Sequence, residues 1–293
     1  MEKVKFYQDI TIAIVLYEEE FKLIYKTLNN LKSFKKIVID NANNFDLKKK
    51  IQSIFTIENY ILNKKNSGFS AGYNQAAKLC ITKYLLILGP DCIISEANIL
   101  KLKDNLSKDP SCFLVSPTAY DESMNKMTYS GGALPENLSR DIVLNLSGNT
   151  CVESALGACM LIRTNEFKDI GLFDENFFIY FSDDDLCRRI RKYKKSVIQI
   201  YDSKCIHSHG IVKIKNKYLK KFVRENNYTF DSLYYYYKIH PNHTEVKKIL
   251  KKTSSLTIKF FIKILSLNFI EFVGISARLF AISRFIYRFK LKK

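Results

Sequence analysis

No CxxC pair occurs in the chain, although it holds seven cysteines: Cys80, Cys92, Cys112, Cys151, Cys159, Cys187 and Cys205. Their odd number and scattered spacing imply neither a zinc site nor a disulfide framework, and a reducing cytosol is the simplest compartment. Glycine-rich phosphate fingerprints are missing too. Neither GxGxxG nor GK[ST] is present, which excludes a dinucleotide-binding turn and a P-loop. No helix-turn-helix, zinc-finger or RNP pattern appears, so nucleic acid is not the expected partner. Long apolar runs are also lacking. The N-terminal ITIAIVLY stretch is roughly eight residues, far short of the length a membrane span needs, ends in three glutamates and has no small-residue cleavage site. It reads as a first strand.

What is present fits a globular α/β protein. At 293 residues, one main domain with an appendage is expected. Hydrophobic residues at 47% exclude a disordered chain. The formal net charge of +18 calls for an anionic partner such as nucleic acid, anionic lipid or a phosphorylated substrate, because uncompensated like charge opposes compaction. Short β-rich runs at 10–17, 36–40, 60–63, 84–89 and 112–117 alternate with helical patterns such as FKLIYKTLNNL, FDLKKKIQSIF, SAGYNQAAKLC and EANILKLKDNL. That alternation predicts a mostly parallel central sheet with helices on both faces. Ligands of such sheets bind beyond the carboxyl ends of the strands, which directs attention to the residues that follow each one.

Asp40 closes the second strand and opens DNANN, which reads either as an Asx turn or as an acceptor for a base or ribose. KKNSGFSAGYNQAAK, residues 64–78, places Gly68 and Gly72 around a helix start, either as a plain Ser-capped helix or as a close approach to phosphate or sugar. YLLILG runs into Pro90 and Asp91, a turn or a carboxylate for a hard divalent cation. FFIYFSDDDLCRRI, residues 177–190, sets three carboxylates behind an aromatic run. Acid at the start and base at the end suit a helix macrodipole, while the aromatics suit a walled, partly dehydrated pocket.

Taken in order, Asp40, the Asn66 to Asn74 segment, Gly89-Pro90-Asp91, Gly157 to Arg163, Gly171 to Glu175, Phe177 to Leu186 and His207-Ser-His209-Gly210 form a pattern. It resembles the inverting family 2 glycosyltransferases of the GT-A fold, and within them the rhamnosyltransferase-type branch of bacterial surface polysaccharide synthesis, over roughly residues 9–212. The resemblance implies a nucleotide-diphosphate sugar donor, held by Asp40, Asn66, Gly68, Gly72 and Asn74. It implies Mg²⁺ or Mn²⁺ at Asp91, with His207 or His209 completing the shell; His207 is favoured on alignment. It implies Asp183 as the base that deprotonates the acceptor hydroxyl, favoured over Asp185, and Glu153 near the acceptor. Two departures from the family pattern stand out. Gly89 replaces an expected Asn or Asp, and Ser182 replaces the Glu of the Glu-Asp-x-Asp-Leu motif.

The chain changes character at Lys213. Residues 213–293 are read as a basic, aromatic-rich helical extension, in which Tyr234 to Tyr237 serve either as a packing face or as a stacking surface for sugar rings. From Thr244 to Lys293 twelve Lys or Arg face two Glu, and Lys259, Lys263, Glu271, Arg278 and Arg284 interrupt the apolar stretches. This pattern predicts amphipathic helices lying on an anionic membrane surface, at the cytoplasmic face where a polyprenyl-linked glycan acceptor would be presented. A helical dimer or domain interface is the alternative for the same stretch, so homo-oligomerisation stays open. By family branch dTDP-L-rhamnose comes first as donor and UDP-hexoses next. A non-catalytic scaffold in a polysaccharide assembly complex is the alternative raised by Ser182 and Gly89.

Overall fold

The computed structural model describes residues 7–124, 127–129, 132–137, 147–208, 216–240, 253, 255–263 and 266–289. The chain divides into two compact units. One comprises Met1–Asp174 with Ser182–Val212, the other Glu175–Phe181 with Lys213–Lys293. Inclusion of Glu175–Phe181 in the second unit is a splice the sequence did not reveal.

The first unit is an α/β sheet structure. Strand β1 (Ile10–Leu16) is buried along almost its whole length, as befits a strand covered on both faces. After it come α1 (Phe21–Asn29), β2 (Lys35–Asp40), α2 (Phe45–Gln52), β3 (Asn59–Leu62), α3 (Gly68–Leu79), β4 (Tyr84–Leu88), β5 (Cys92–Ile94), α4 (Glu96–Lys108) and β6 (Cys112–Tyr120). Helix starts follow local chemistry: the Asn44 side chain accepts from Leu47 N at the head of α2, and Ser95 Oγ accepts from Asn98 N at the head of α4. The remaining elements are β7 (Met127–Tyr129), a single 3₁₀ turn (Pro135–Asn137), β8 (Thr150–Cys151), β9 (Cys159–Arg163), α5 (Thr164–Asp169), α6 (Ser182–Lys192) and β10 (Ser196–His207).

The strand order is β3-β2-β1-β4-β9-β6-β10-β5, with β7 on β6 and β8 on β10. Strands β3, β2, β1 and β4 are parallel, as is the β6/β10 pair. Strand β9 runs antiparallel to both β4 and β6, and β5 antiparallel to β10. The sheet is therefore mixed. Strict strand–helix alternation lasts only as far as β4: β5 follows β4 directly, and β7, β8 and β9 follow β6 with no α-helix among the described residues between them, which suits antiparallel pairing. One apolar layer, including Ile12, Ile14, Leu86 and Leu161, packs on one face, and a second, including Ala13, Leu85, Ile87 and Ile162, on the other. Together they fix the strand ends from which the site is built.

The second unit consists of α7 (Lys217–Ile239), a helical segment at 255–263, α8 (Phe269–Phe289) and the spliced Glu175–Phe181. Phe177, Phe230, Leu233, Tyr234, Tyr235, Ala281, Ile282 and Phe285 form its core. Tyr234 and Tyr235 are thereby packing residues; the Phe177 and Tyr234 rings meet edge-on at 4.8 Å. The buried Asp231 carboxylate accepts hydrogen bonds from the backbone N–H groups of Phe178 (3.0 Å), Ile179 (3.0 Å) and Tyr180 (2.9 Å). The aromatic run FFIYF is accordingly wrapped around a carboxylate within this unit.

Candidate active site

The loops that follow β1, β2 and β3 are laced together at one edge of the first unit. Asn41 N donates to Leu16 O at 2.8 Å. Asn41 Oδ1 accepts from Asn63 Nδ2 and Ser67 Oγ, both at 2.8 Å, while Asn41 Nδ2 donates to Gly68 O at 3.1 Å. Asn66 Oδ1 accepts from Gly68 N at 2.9 Å, and Gly68 has φ of +82°, a left-handed conformation that favours glycine. Asp40 lies beneath this lattice with 0% exposure. Its Oδ1 accepts from Ala42 N at 2.8 Å and its Oδ2 from the Tyr60 hydroxyl at 3.2 Å, and burial raises its carboxyl above the ordinary range.

Beyond β4 the chain turns through Gly89, Pro90 and Asp91. Thr27 Oγ1 donates to Pro90 O at 2.8 Å and pins the turn to α1. Asp91 Oδ2 lies 3.5 Å from His207 Nε2, brought there because β10 pairs antiparallel with β5 and sets His207 opposite Cys92. A Cβ on Gly89 would sit 3.0 Å from Asp91 Oδ1, so the side chain that this chain lacks there would have bordered the Asp91 carboxylate. Glu19, just past β1, belongs to the same neighbourhood. Burial pushes its carboxyl up to about 7, and the charges of Asp91 and Asp40 push the same way, against a hydrogen bond from Tyr17 N. Among the described residues no group of three or more His, Cys, Asp or Glu is arranged to hold a metal by itself. Asp91 and His207 form a two-residue oxygen and nitrogen set, which suits a divalent cation that draws its other ligands from a diphosphate and water.

The carboxylates of α6 are close to this turn. Gly89 N donates to Ala158 O at 2.8 Å, and the preceding residue, Gly157, donates its N–H to Asp183 Oδ2 at 3.0 Å. One stretch of backbone, Gly157-Ala158, thus separates the Asp91 turn from Asp183. A Cβ on Gly157 would approach Asp183 Oδ2 to 2.5 Å, so glycine is needed for that contact. Asp183 Oδ1 also accepts from Asp184 N at 3.1 Å. Burial raises the Asp183 carboxyl and outweighs those N–H bonds. Burial, followed by the charge of Asp183, lifts Asp184 to about 8, although Ser154 Oγ donates to Asp184 Oδ1 at 2.6 Å. Ser182 is buried with its Oγ 2.7 Å from Ser70 Oγ. Glu18, next to Glu19, has φ of 61°, left-handed backbone that a residue other than glycine seldom adopts.

Several residues expected to line a site have other tasks here. Asn74 is 2% exposed, donating from Nδ2 to Phe173 O at 2.9 Å and accepting at Oδ1 from Phe173 N at 3.0 Å, so it clamps backbone to backbone. A Cβ on Gly72 would meet Val15 Cγ1 at 2.8 Å; this glycine permits close packing of α3 on β1. Asp185 turns into the core and pairs with Arg189 Nε at 2.9 Å, one helical turn along α6, because positions four apart share a face. The Arg189 guanidinium in turn donates to the carbonyls of Ile170 and Leu172. Glu153 Oε2 accepts from Leu134 N at 3.1 Å and Asn137 Nδ2 at 2.8 Å, securing the turn at 132–137. His209 lies outside the described residues. Glu19, Asn41, Tyr60, Ser154 and Asp184 received no role from the sequence. Glu19 was accessible to the rule that picked out Asp40 and Asp91, since it follows the carboxyl end of a parallel strand.

Comparison with known proteins matches residues 11–171 to the family described as Glycosyl transferase family 2. The low-salt glycan biosynthesis hexosyltransferase Agl10 of Haloferax volcanii is 25% identical over 216 residues, covering 69% of this chain and 68% of that protein. The dTDP-rhamnosyl transferase RfbF of Shigella flexneri is 24% identical over 218 residues, 71% of each. The rhamnosyltransferase WbbL of Escherichia coli is 27% identical over 207 residues, 62% of this chain and 76% of that one. Among solved structures, the mannosyltransferase PcManGT from Pyrobaculum calidifontis, in complex with GDP-Man and Mn²⁺, superposes with a TM-score of 0.55 at 13% identity, covering 98% of this chain and 89% of that one. GalNAc-T7 with UDP, GalNAc and Mn²⁺ gives a TM-score of 0.57 at 14% identity, covering 76% of this chain and 50% of that one. These likenesses establish the GT-A fold.

Proposed function

The chain belongs to glycosyl transferase family 2, and from that premise we propose that it moves a sugar, with inversion, from a nucleotide-diphosphate donor to a hydroxyl of a glycan or polyprenyl-linked glycan. The donor occupies the edge where β1 to β4 end, above the Asn41, Asn63 and Gly68 lattice. Asp40 supports that lattice from below. Asp91 and His207 would hold Mn²⁺ or Mg²⁺ on the diphosphate of the donor. Such a cation, when bound, neutralises charge on the diphosphate.

Asp183 is assigned as the base. Its carboxylate takes the acceptor hydroxyl proton as that oxygen bonds to the anomeric carbon, while the bond from that carbon to the β-phosphate oxygen breaks and the nucleoside diphosphate leaves. The observation that carries this reading is the placement of Asp183 on Gly157 N–H, one backbone stretch from the Asp91 turn, in surroundings that raise its proton affinity. Asp184 and Ser154 sustain that environment, Asp185 fixes α6 through Arg189, and Glu153 shapes the acceptor side through the turn at 132–137. L-rhamnose is the first donor sugar to test, since two of the relatives are named as rhamnosyl transferases, and UDP-hexoses come next. A polyprenyl-linked acceptor would be met at the cytoplasmic face of the membrane, where the proposal has the protein peripherally bound.

A thermal-shift screen of dTDP, UDP and GDP sugars with and without Mn²⁺ tests the donor site, because a ligand that binds only the native state raises its stability with the logarithm of concentration over Kd. At least one donor should raise Tm by several degrees with metal, and Asp91→Ala should remove the metal-dependent part. A metal-dependent shift of full size in Asp91→Ala would remove Asp91 from the cation role.

A further inference from the structure

In the second unit, the helical segment 255–263 is apolar on two sides. Leu256 packs against the unit's core, and the ring of Phe260, one turn on, lies 4.8 Å from that of Phe272. These two residues account for its attachment. The other stripe, Ile258, Phe261 and Ile262, has the spacing i, i+3, i+4 of a single helix face, yet is 63%, 58% and 53% exposed. The turn into α8 continues it with Leu267 at 71%, Phe269 at 55% and Ile270 at 42%. Leu267 also has φ of +54°, a conformation that costs a bulky residue energy and holds its side chain at the tip of the turn. Exposed apolar residues gathered on one helix face and in the turn that follows mark an interaction site more than scattered ones do.

We propose that Ile258, Phe261 and Ile262, with Leu267, Phe269 and Ile270, form a wedge that inserts into the headgroup boundary of a bilayer containing anionic lipid. Charge selects that occupant. Lys259 and Lys263 stand in the same segment, and the sequence from Thr244 to Lys293 carries twelve Lys or Arg against two Glu. An apolar stripe flanked by basic residues matches the boundary between acyl chains and anionic headgroups. A second copy fits less well, because a two-fold contact sets the same patch against itself and brings like basic flanks together. Among the described residues no helix is long and apolar enough to cross a membrane, which suits insertion at the surface. The inference deepens the peripheral placement proposed above and is independent of the transfer chemistry.

The test is co-sedimentation of the full chain with vesicles of phosphatidylglycerol and phosphatidylcholine, compared with phosphatidylcholine alone. The wild type should partition onto the anionic vesicles at least about tenfold more strongly than onto the zwitterionic ones. The combined variant Ile258→Ser, Phe261→Ser, Ile262→Ser should lose about tenfold or more of that partitioning with its thermal melt unchanged, since the replaced side chains are exposed. Lys259→Glu with Lys263→Glu should weaken binding and its dependence on salt. Undiminished partitioning of the triple serine variant, or a wild type that stays in the supernatant, overturns the proposal. So does a triple variant that converts an oligomer to a monomer while vesicle binding persists, which assigns these residues to a second copy. Transfer to a water-soluble acceptor, measured in parallel, separates the two questions: its absence counts against the transfer chemistry and leaves vesicle binding as an independent result.

Discussion

At Asp183 burial opposes backbone hydrogen bonds, at Asp184 it opposes a hydrogen bond from the Ser154 hydroxyl, and burial prevails at both. A carboxyl whose folded pKa lies above its unfolded value holds its proton more tightly in the native state. Its contribution to stability is full below about pH 4 and is lost as pH rises through the folded value. With Asp184 near 8, the melting temperature should fall between pH 6 and pH 8.5, and Asp184→Asn should flatten that slope. A slope unchanged in Asp184→Asn would place the proton elsewhere. The same elevation bears on catalysis, because a base works only once deprotonated. Asp183 is shifted in the same direction, so initial rates should rise with pH as its carboxyl loses its proton. Gly157 tests the geometry at the same scale. Since a Cβ there would come within 2.5 Å of Asp183 Oδ2, Gly157→Ala must displace the carboxylate. Turnover should drop by about tenfold to a hundredfold with donor affinity preserved, as expected for small misplacement of a reacting group. Equal turnover in the alanine variant would mean that the Gly157 contact does not set the base.

Among the elements, those built from simple periodic patterns were legible. ITIAIVLY, KIVID, YILN, YLLILG and CFLVSP appear as β1, β2, β3, β4 and the first part of β6, within a residue or so of where apolar runs and turn residues place them. Strand β9 was not legible as a strand, since CMLIR is short and its antiparallel partners β4 and β6 lie far away in sequence. The site divides the same way. Asp91, His207 and Asp183 stand at strand and helix ends, where position alone draws attention. Asn74 and Gly72 lie in an equally suggestive segment, but whether an amide meets a ligand or a neighbouring backbone depends on tertiary packing, and here it meets Phe173. Glu19 went unremarked among three successive glutamates. FFIYF was read as the wall of a pocket; its backbone instead wraps the Asp231 carboxylate. Asp231→Ala should therefore destabilise the second unit by about 2 kcal/mol, the cost of leaving partly buried N–H groups without their acceptor. Asp231→Asn, which keeps one acceptor oxygen, should cost less. Denaturant midpoints measure both, and an alanine variant as stable as wild type would show that water replaces the carboxylate.

For the molecule as a whole, the net charge of +18 is distributed against a site rich in carboxylates. Glu19, Asp40, Asp91, Asp183 and Asp184 gather around the ends of β1 to β4 and the start of α6, and burial raises the proton affinity of Glu19, Asp40, Asp183 and Asp184. In the proposed reading, a cation bound with a diphosphate donor would offset negative charge at that edge, and the basic second unit would meet a different class of anion, the lipid headgroup. The proposed chemistry at the edge rests on Asp183. The most direct measurement is release of nucleoside diphosphate in the presence of acceptor and Mn²⁺, compared between wild type and Asp183→Asn, with donor binding followed by calorimetry. Turnover in Asp183→Asn should fall about a thousandfold, in the range lost when a general base is removed, while donor affinity stays within about twofold because the base acts on the acceptor hydroxyl. Wild-type turnover in Asp183→Asn would contradict the assignment.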